Sequence, residues 1–376
     1  MRIIFDLRGC QINIERGIPR YIQNLIFFVA KKAENNTYKF LYDKKLKKAL
    51  WHDKLSTLGD FLYEEDLGEE ADFDWYIIGC PFWISNEKSL AEYLIPRTHR
   101  RGQFKKLAAI VYDFIPLRFP KEYLSEISNQ IHYSEALDVL KIQNIIFTIS
   151  QFVKEEAEDI LSDLPPDKII NINGGLGFFN GVMPETHLDF AKLKKKYGLS
   201  LKDYWIYVGG DDHRKNLNFL IQAQINRTEP KKPLVIVCKL SANRQAEVNA
   251  VIKRNKAANV ILTGYVDDDA LICLLRSAYG MVFPSISEGL GLPILESYNS
   301  NTPVLCSNTT SLKDLAPSPL QFNPYNVNEL SEKMDLAERD YENFRELSLN
   351  YWNSIQNRYN WEYASSVFLE KISHYC

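Results

Sequence analysis

Short apolar runs recur along this chain, each closing on a polar or glycine-bearing loop that leads into a segment with helical spacing. Residues 2–5, 75–78, 106–111, 145–149 and 167–172 supply such runs in the first half, and residues 204–208, 234–237, 260–262, 280–283 and 302–306 in the second. A short run with little polar alternation reads as a strand buried on both faces, which needs helices above and below it. Strands alternating with helices in this way give βαβ units and parallel sheets. The chain is therefore expected to be α/β, and its 376 residues suit two such domains better than one core. At its start, a strand, a loop with Asp6, Arg8, Gly9 and Gly17, and a stripe of Ile22, Leu25, Ile26 and Val29 open a doubly wound domain. No Gly-x-Gly-x-x-Gly occupies that turn, which argues against a dinucleotide-dependent dehydrogenase.

Composition excludes further classes. The net charge is −3 with 25% charged residues, whereas a nucleic-acid-binding protein is expected to carry a basic excess. Cys10, Cys80, Cys238, Cys273, Cys306 and Cys376 lack the spacing of a zinc site or redox motif. They are expected to be reduced, packed thiols. The amino terminus reaches Asp6 too early for a signal sequence, and no run approaches the roughly 20 apolar residues that span a bilayer. A cytoplasmic location is expected. Lys31-Lys32 and Lys44-Lys45-Leu-Lys47-Lys48 precede an acidic tract from Glu64 to Asp74; they read as solvated surface, or as a patch for peripheral contact with anionic lipid on the inner face of the plasma membrane.

One string carries more chemistry than the rest: Phe283-Pro-Ser-Ile-Ser-Glu-Gly-Leu-Gly-Leu-Pro-Ile-Leu-Glu296. The apolar run 280–283 ends in a loop holding Glu288, and Pro293 marks the first turn of a helix that carries Glu296. In an open α/β sheet that loop lies where ligands bind, beyond the carboxyl ends of the strands. Glycines let a ligand approach the main chain, and the free N–H groups of a helix start attract an anion. A carboxylate accepts paired hydrogen bonds from vicinal hydroxyls, so Glu288 and Glu296 suit a ligand with sugars at two ends and phosphate between them.

The string closely resembles the donor-binding signature of the retaining GT-B glycosyltransferases of family 4, in which Glu, Gly-Phe-Gly-Leu-Pro and a second Glu follow in order. Leu290 stands where Phe is usual. The resemblance covers nearly the whole chain and is strongest from residue 204 to 312. It implies two Rossmann-like domains facing each other across a cleft: residues 1–182 for the acceptor, residues 183–357 for the nucleotide-sugar donor, and a last helix, 358–376, packing back across both. It further implies transfer of a sugar from a nucleotide diphosphate to an acceptor hydroxyl with retained configuration, without metal or cofactor.

The resemblance also implies roles. Arg214 and Lys215, in Gly209-Gly210-Asp-Asp-His-Arg-Lys-Asn216, would hold the diphosphate. Glu288 would hold the donor-sugar hydroxyls, the main chain of Gly289, Leu290, Gly291 and Leu292 the sugar and phosphate, and Glu296 the ribose. Gly17 would approach the donor phosphates, and Tyr265, in Thr263-Gly-Tyr, would border the base. Tyr112 stands where the family commonly has histidine beside the donor sugar, and Asp113 either holds the acceptor hydroxyl or caps the next turn. A general likeness to bacterial surface-polysaccharide mannosyltransferases points to GDP-mannose as the donor, with UDP- and dTDP-sugars as the alternatives, and to a glycan or lipid-linked molecule as the acceptor. The rivals are a GT-B sugar-nucleotide epimerase, a phosphorylase, and a non-catalytic partner subunit that binds a nucleotide sugar or glycan. Asp72-Phe-Asp74 precedes its strand instead of ending one, and so reads as a strand-entry turn, not a metal clamp. Ser150, ahead of an acid-rich first turn, reads as a helix N-cap.

Overall fold

A computed structural model of the chain describes residues 1–11, 17–48, 51–63, 66–68, 72–82, 104–178, 183, 185, 189–228, 231–255 and 259–374. Parts of the Glu64 to Asp74 tract, Cys376, and most of the stretch 181–188 on which the expected domain boundary falls lie outside the described residues. Two compact units are present: Met1–Gly181 with Arg358–Cys376, and Val182–Asn357.

The described strands of the first unit are β1 (Arg2–Asp6), β2 (Thr37–Tyr42), β3 (Asp60–Tyr63), β4 (Phe73–Ile78), β5 (Phe104–Val111), β6 (Ile145–Thr148) and β7 (Ile169–Asn171), in the parallel order β3-β2-β1-β4-β5-β6-β7. The order reverses between β1 and β4, as in a Rossmann sheet. Trp75, Tyr76, Ile77 and Ile78 of β4 are all fully buried, as a strand at the centre of a twice-covered sheet must be. The Gly17–Lys32 helix buries its stripe of Ile22, Leu25, Ile26 and Val29 completely. Against it lies the last helix, Trp361–His374, where Trp361 meets Tyr21 edge-on at 4.8 Å and donates from Nε1 to the Leu176 carbonyl at 2.9 Å. Ser150 caps the Gln151–Ile160 helix by accepting the Val153 N–H at 3.2 Å. Asp72 turns the chain into β4 at φ 72°, and Asp74 accepts the Arg2 N–H at 2.8 Å and the Lys105 ammonium at 3.0 Å.

In the second unit β8 (Trp205–Val208), β9 (Leu234–Val237), β10 (Val260–Leu262), β11 (Gly280–Phe283), β12 (Val304–Ser307) and β13 (Gln321–Phe322) form a parallel sheet in the order β10-β9-β8-β11-β12-β13. The reversal here falls between β8 and β11, which are neighbours in the sheet although β9 and β10 separate them in sequence. The loops leaving those two strands contain residues 209–216 and 284–291. Among the described residues no helix is long and apolar enough to cross a membrane.

Candidate active site

Asp212 begins the loop after β8 by capping a 3₁₀ turn, His213–Lys215, through the Arg214 N–H at 3.2 Å. Asn216 then takes a left-handed backbone, φ 59°, which Asn tolerates better than most residues, and its amide donates to the Pro324 carbonyl at 2.8 Å. The turn between them aims Arg214 and Lys215 at the neighbouring loop. The Ile286 N–H donates to the Arg214 carbonyl at 2.7 Å, and Arg214 Nη1 donates to the Ser287 carbonyl at 3.0 Å and to Glu288 Oε2 at 2.9 Å. Lys215 Nζ donates to Glu288 Oε1 at 2.6 Å and stands 5.4 Å from the Phe283 ring centroid. The three charged side chains are between 10% and 21% exposed.

Burial alone would raise the Glu288 carboxyl. The charges of Lys215 and then Arg214 overcome that penalty, and the carboxyl is lowered to about 2. Asp212 Oδ1 lies 3.6 Å from Arg214 Nε and adds a more exposed negative charge. Two cations thus face the one buried carboxylate they share, an arrangement that suits an anionic ligand such as a phosphate.

The loop after Glu288 is shaped by Gly291, whose φ is 100°. A Cβ there would stand 2.9 Å from both Leu312 Cδ2 and Leu315 Cδ1. Leu290 is buried, and the helix Leu292–Asn299 starts at Gly291 with Pro293 in its first turn. Glu296, on that helix, is 8% exposed. Gly210 is exposed, accepts the Tyr207 hydroxyl at its carbonyl at 2.8 Å, and has open space where a side chain would be.

Four further expected residues lie on other elements. Tyr265 follows Gly264, φ 70°, beyond the edge strand β10 and is 64% exposed. Gly17 opens the first helix of the other unit and is exposed. Tyr112 is 5% exposed, and its hydroxyl donates its one hydrogen to the Gly79 carbonyl at 2.9 Å, within its own unit. Asp113 accepts the Ile115 N–H at 3.1 Å, the capping role of its two alternatives. Among the described residues no three His, Cys, Asp or Glu side chains cluster as a metal site would.

Three further residues belong to the site's frame. Arg244 Nε lies 3.0 and 3.1 Å from the two carboxylate oxygens of Asp211, and its Nη2 donates to Asn218 at 2.6 Å, which ties the loop after β8 to two helices. Thr310 and Ser311 hold the main chain of Glu288. In the sequence these are only a cation on a helix and a polar loop, with no spacing that marks them.

Residues 189–351 match the family model described as Glycosyl transferases group 1. Over 248 residues the chain is 28% identical to the serotype-specific mannosyltransferase WbdA of Escherichia coli, a match covering 64% of this chain and 30% of WbdA. Over 251 residues it is 28% identical to the O-antigen chain mannosyltransferase B of Escherichia coli, covering 66% of this chain and 64% of that one. The matches thus span less than two thirds of either relative. Among solved structures, the chain is similar to HepE of Anabaena in complex with UDP-glucose, with a TM-score of 0.74 at 14% identity over 100% of both chains. It is similar also to the sucrose-phosphate synthase of Thermosynechococcus elongatus, with a TM-score of 0.69 at 15% identity over 100% of this chain and 98% of that one. At such identities the likeness is one of fold, the paired Rossmann-like halves of GT-B.

Proposed function

Residues 189–351 form a glycosyl transferases group 1 domain, and from that premise we propose that the protein moves a sugar from a nucleotide diphosphate donor to a hydroxyl of a glycan or lipid-linked acceptor in surface-polysaccharide synthesis. Mannose from GDP-mannose is the donor we infer, because the relatives include mannosyltransferases. The observation that carries the reading is Glu288 gripped by Arg214 and Lys215 at the carboxyl ends of two adjacent central strands.

In this reading Arg214 and Lys215 neutralise the diphosphate, the charge a metal ion balances in other enzymes. Glu288 orients the sugar through its hydroxyls, the main chain at Gly289 to Leu292 lies along sugar and phosphate, and Glu296 takes the ribose. The bond between the anomeric carbon and the phosphate oxygen breaks as the acceptor oxygen bonds to the same face of that carbon. The acceptor's proton passes to the departing phosphate, which gives retention without a protein nucleophile. Release of nucleoside diphosphate from a donor panel, with and without mannose-containing acceptors, tests this. Turnover of one donor by the wild type and its loss in Lys215→Met support the enzyme. The second reading, a non-catalytic partner subunit, takes support from the committed hydroxyl of Tyr112. Donor binding without turnover under every condition would establish that reading instead.

A further inference from the structure

Among the described residues with a left-handed backbone, Thr310, at φ 50°, is the one that is β-branched. Asn173, Asn216 and Asn301 take the same conformation with a side chain that tolerates it, whereas a branched Cβ crowds the main chain there. Glycine or asparagine would make this turn at lower cost. What Thr310 adds is an oxygen on Cβ, and that oxygen accepts the Glu288 N–H at 3.1 Å. Asparagine carries its acceptor one atom further from the main chain. The next residue, Ser311, is buried and donates its hydroxyl to the Glu288 carbonyl at 3.0 Å. Both residues lie in one tight turn, Thr310–Asp314, just past the end of β12, and the chain ahead of it is pinned where the Asn308 N–H meets the Phe322 carbonyl at 2.9 Å.

Glu288 is therefore held from two directions: its main chain by the turn after β12, its carboxylate by the loop after β8. We propose that Thr310 is a positioning residue, kept in a disfavoured backbone because its hydroxyl fixes the main chain of Glu288 before a donor arrives. The proposal rests on the reading that Glu288 faces the donor sugar. Strained residues that persist where the surroundings over-determine them are found at sites that need such pre-organisation.

The test compares Thr310→Ser, Thr310→Gly and Thr310→Ala. It follows release of nucleoside diphosphate from GDP-mannose and from UDP-glucose, melting temperature, and hydrogen exchange at the Glu288 amide. Serine keeps the oxygen and is expected to stay within about twofold of wild-type kcat. Glycine relieves the backbone and drops the oxygen; its melting point is expected to hold while kcat falls about tenfold or more and donor KM moves less than about threefold, since the cations still grip the phosphates. Its Glu288 amide is expected to exchange about tenfold faster. Alanine keeps a Cβ in the left-handed backbone without the bond and is expected to lose both melting point and kcat. Wild-type turnover and exchange in Thr310→Gly, or Thr310→Ser falling as far as Thr310→Gly, would overturn the proposal. If wild type releases diphosphate from neither donor, the donor reading fails, and the exchange comparison alone decides whether Thr310 holds Glu288.

Discussion

Replacing Glu288 by glutamine keeps its shape and removes the charge that Arg214 and Lys215 share. Its carboxyl sits at about 2 in place of an ordinary 4.5, and at about 1.4 kcal/mol for each tenfold change this stabilises the folded unit by about 3 kcal/mol at neutral pH. The net worth of the whole cluster is smaller, because burial presses the Lys215 ammonium below its usual value. The sign follows from the direction of the shift. A carboxyl lowered on folding contributes fully above its unfolded value and loses that contribution as pH falls toward the folded one. The difference between wild type and Glu288→Gln is thus expected to be about 3 kcal/mol near pH 6, about 1.4 kcal/mol near pH 3, and to vanish below the folded value. For a unit of this size, 3 kcal/mol corresponds to roughly 6–12 °C in melting temperature. Denaturant titrations of both proteins across that pH range measure it. A difference independent of pH, or below about 1 kcal/mol near pH 6, would refute the view that the carboxylate is held by the two cations.

Gly291→Ala places a side chain in a left-handed backbone and against Leu312 and Leu315; a loss of about 1–3 kcal/mol is expected in thermal unfolding. Trp361→Ala empties the contact with Tyr21 and removes the shorter of two hydrogen bonds to the Leu176 carbonyl, leaving it the Asn24 amide at 3.3 Å, an expected cost of about 3–5 kcal/mol in the first unit by denaturant titration. Arg244→Ala and Asp211→Ala should each destabilise the second unit, and together by less than their sum; a double-mutant cycle is expected to return a coupling of about 1 kcal/mol.

The central strands were legible because β8 and β11 are apolar throughout, and β4 and β5 are so from Trp75 and Leu107 onward. Strand β2 escapes that pattern. Lys39 interrupts its apolar residues, carrying its ammonium out to Asp60 at 3.0 Å while the stem stays mostly covered. Arg214, Lys215 and Glu288 could be named from two motifs, but Lys215 and Glu288 are 73 residues apart, and only the strand order puts them in contact. The direction of a hydroxyl is harder still. Nothing in the neighbourhood of Tyr112 in the sequence says that it will meet Gly79, and nothing around Thr310 announces that its hydroxyl will accept the Glu288 N–H.

Because β8 and β11 touch while β9 and β10 continue outward beyond β8, the loop after β10 that carries Tyr265 stands two strands away from the charged junction. That outermost loop, where Tyr265 projects into solvent, can change its length or its side chains without prying apart the two strands on which the junction stands.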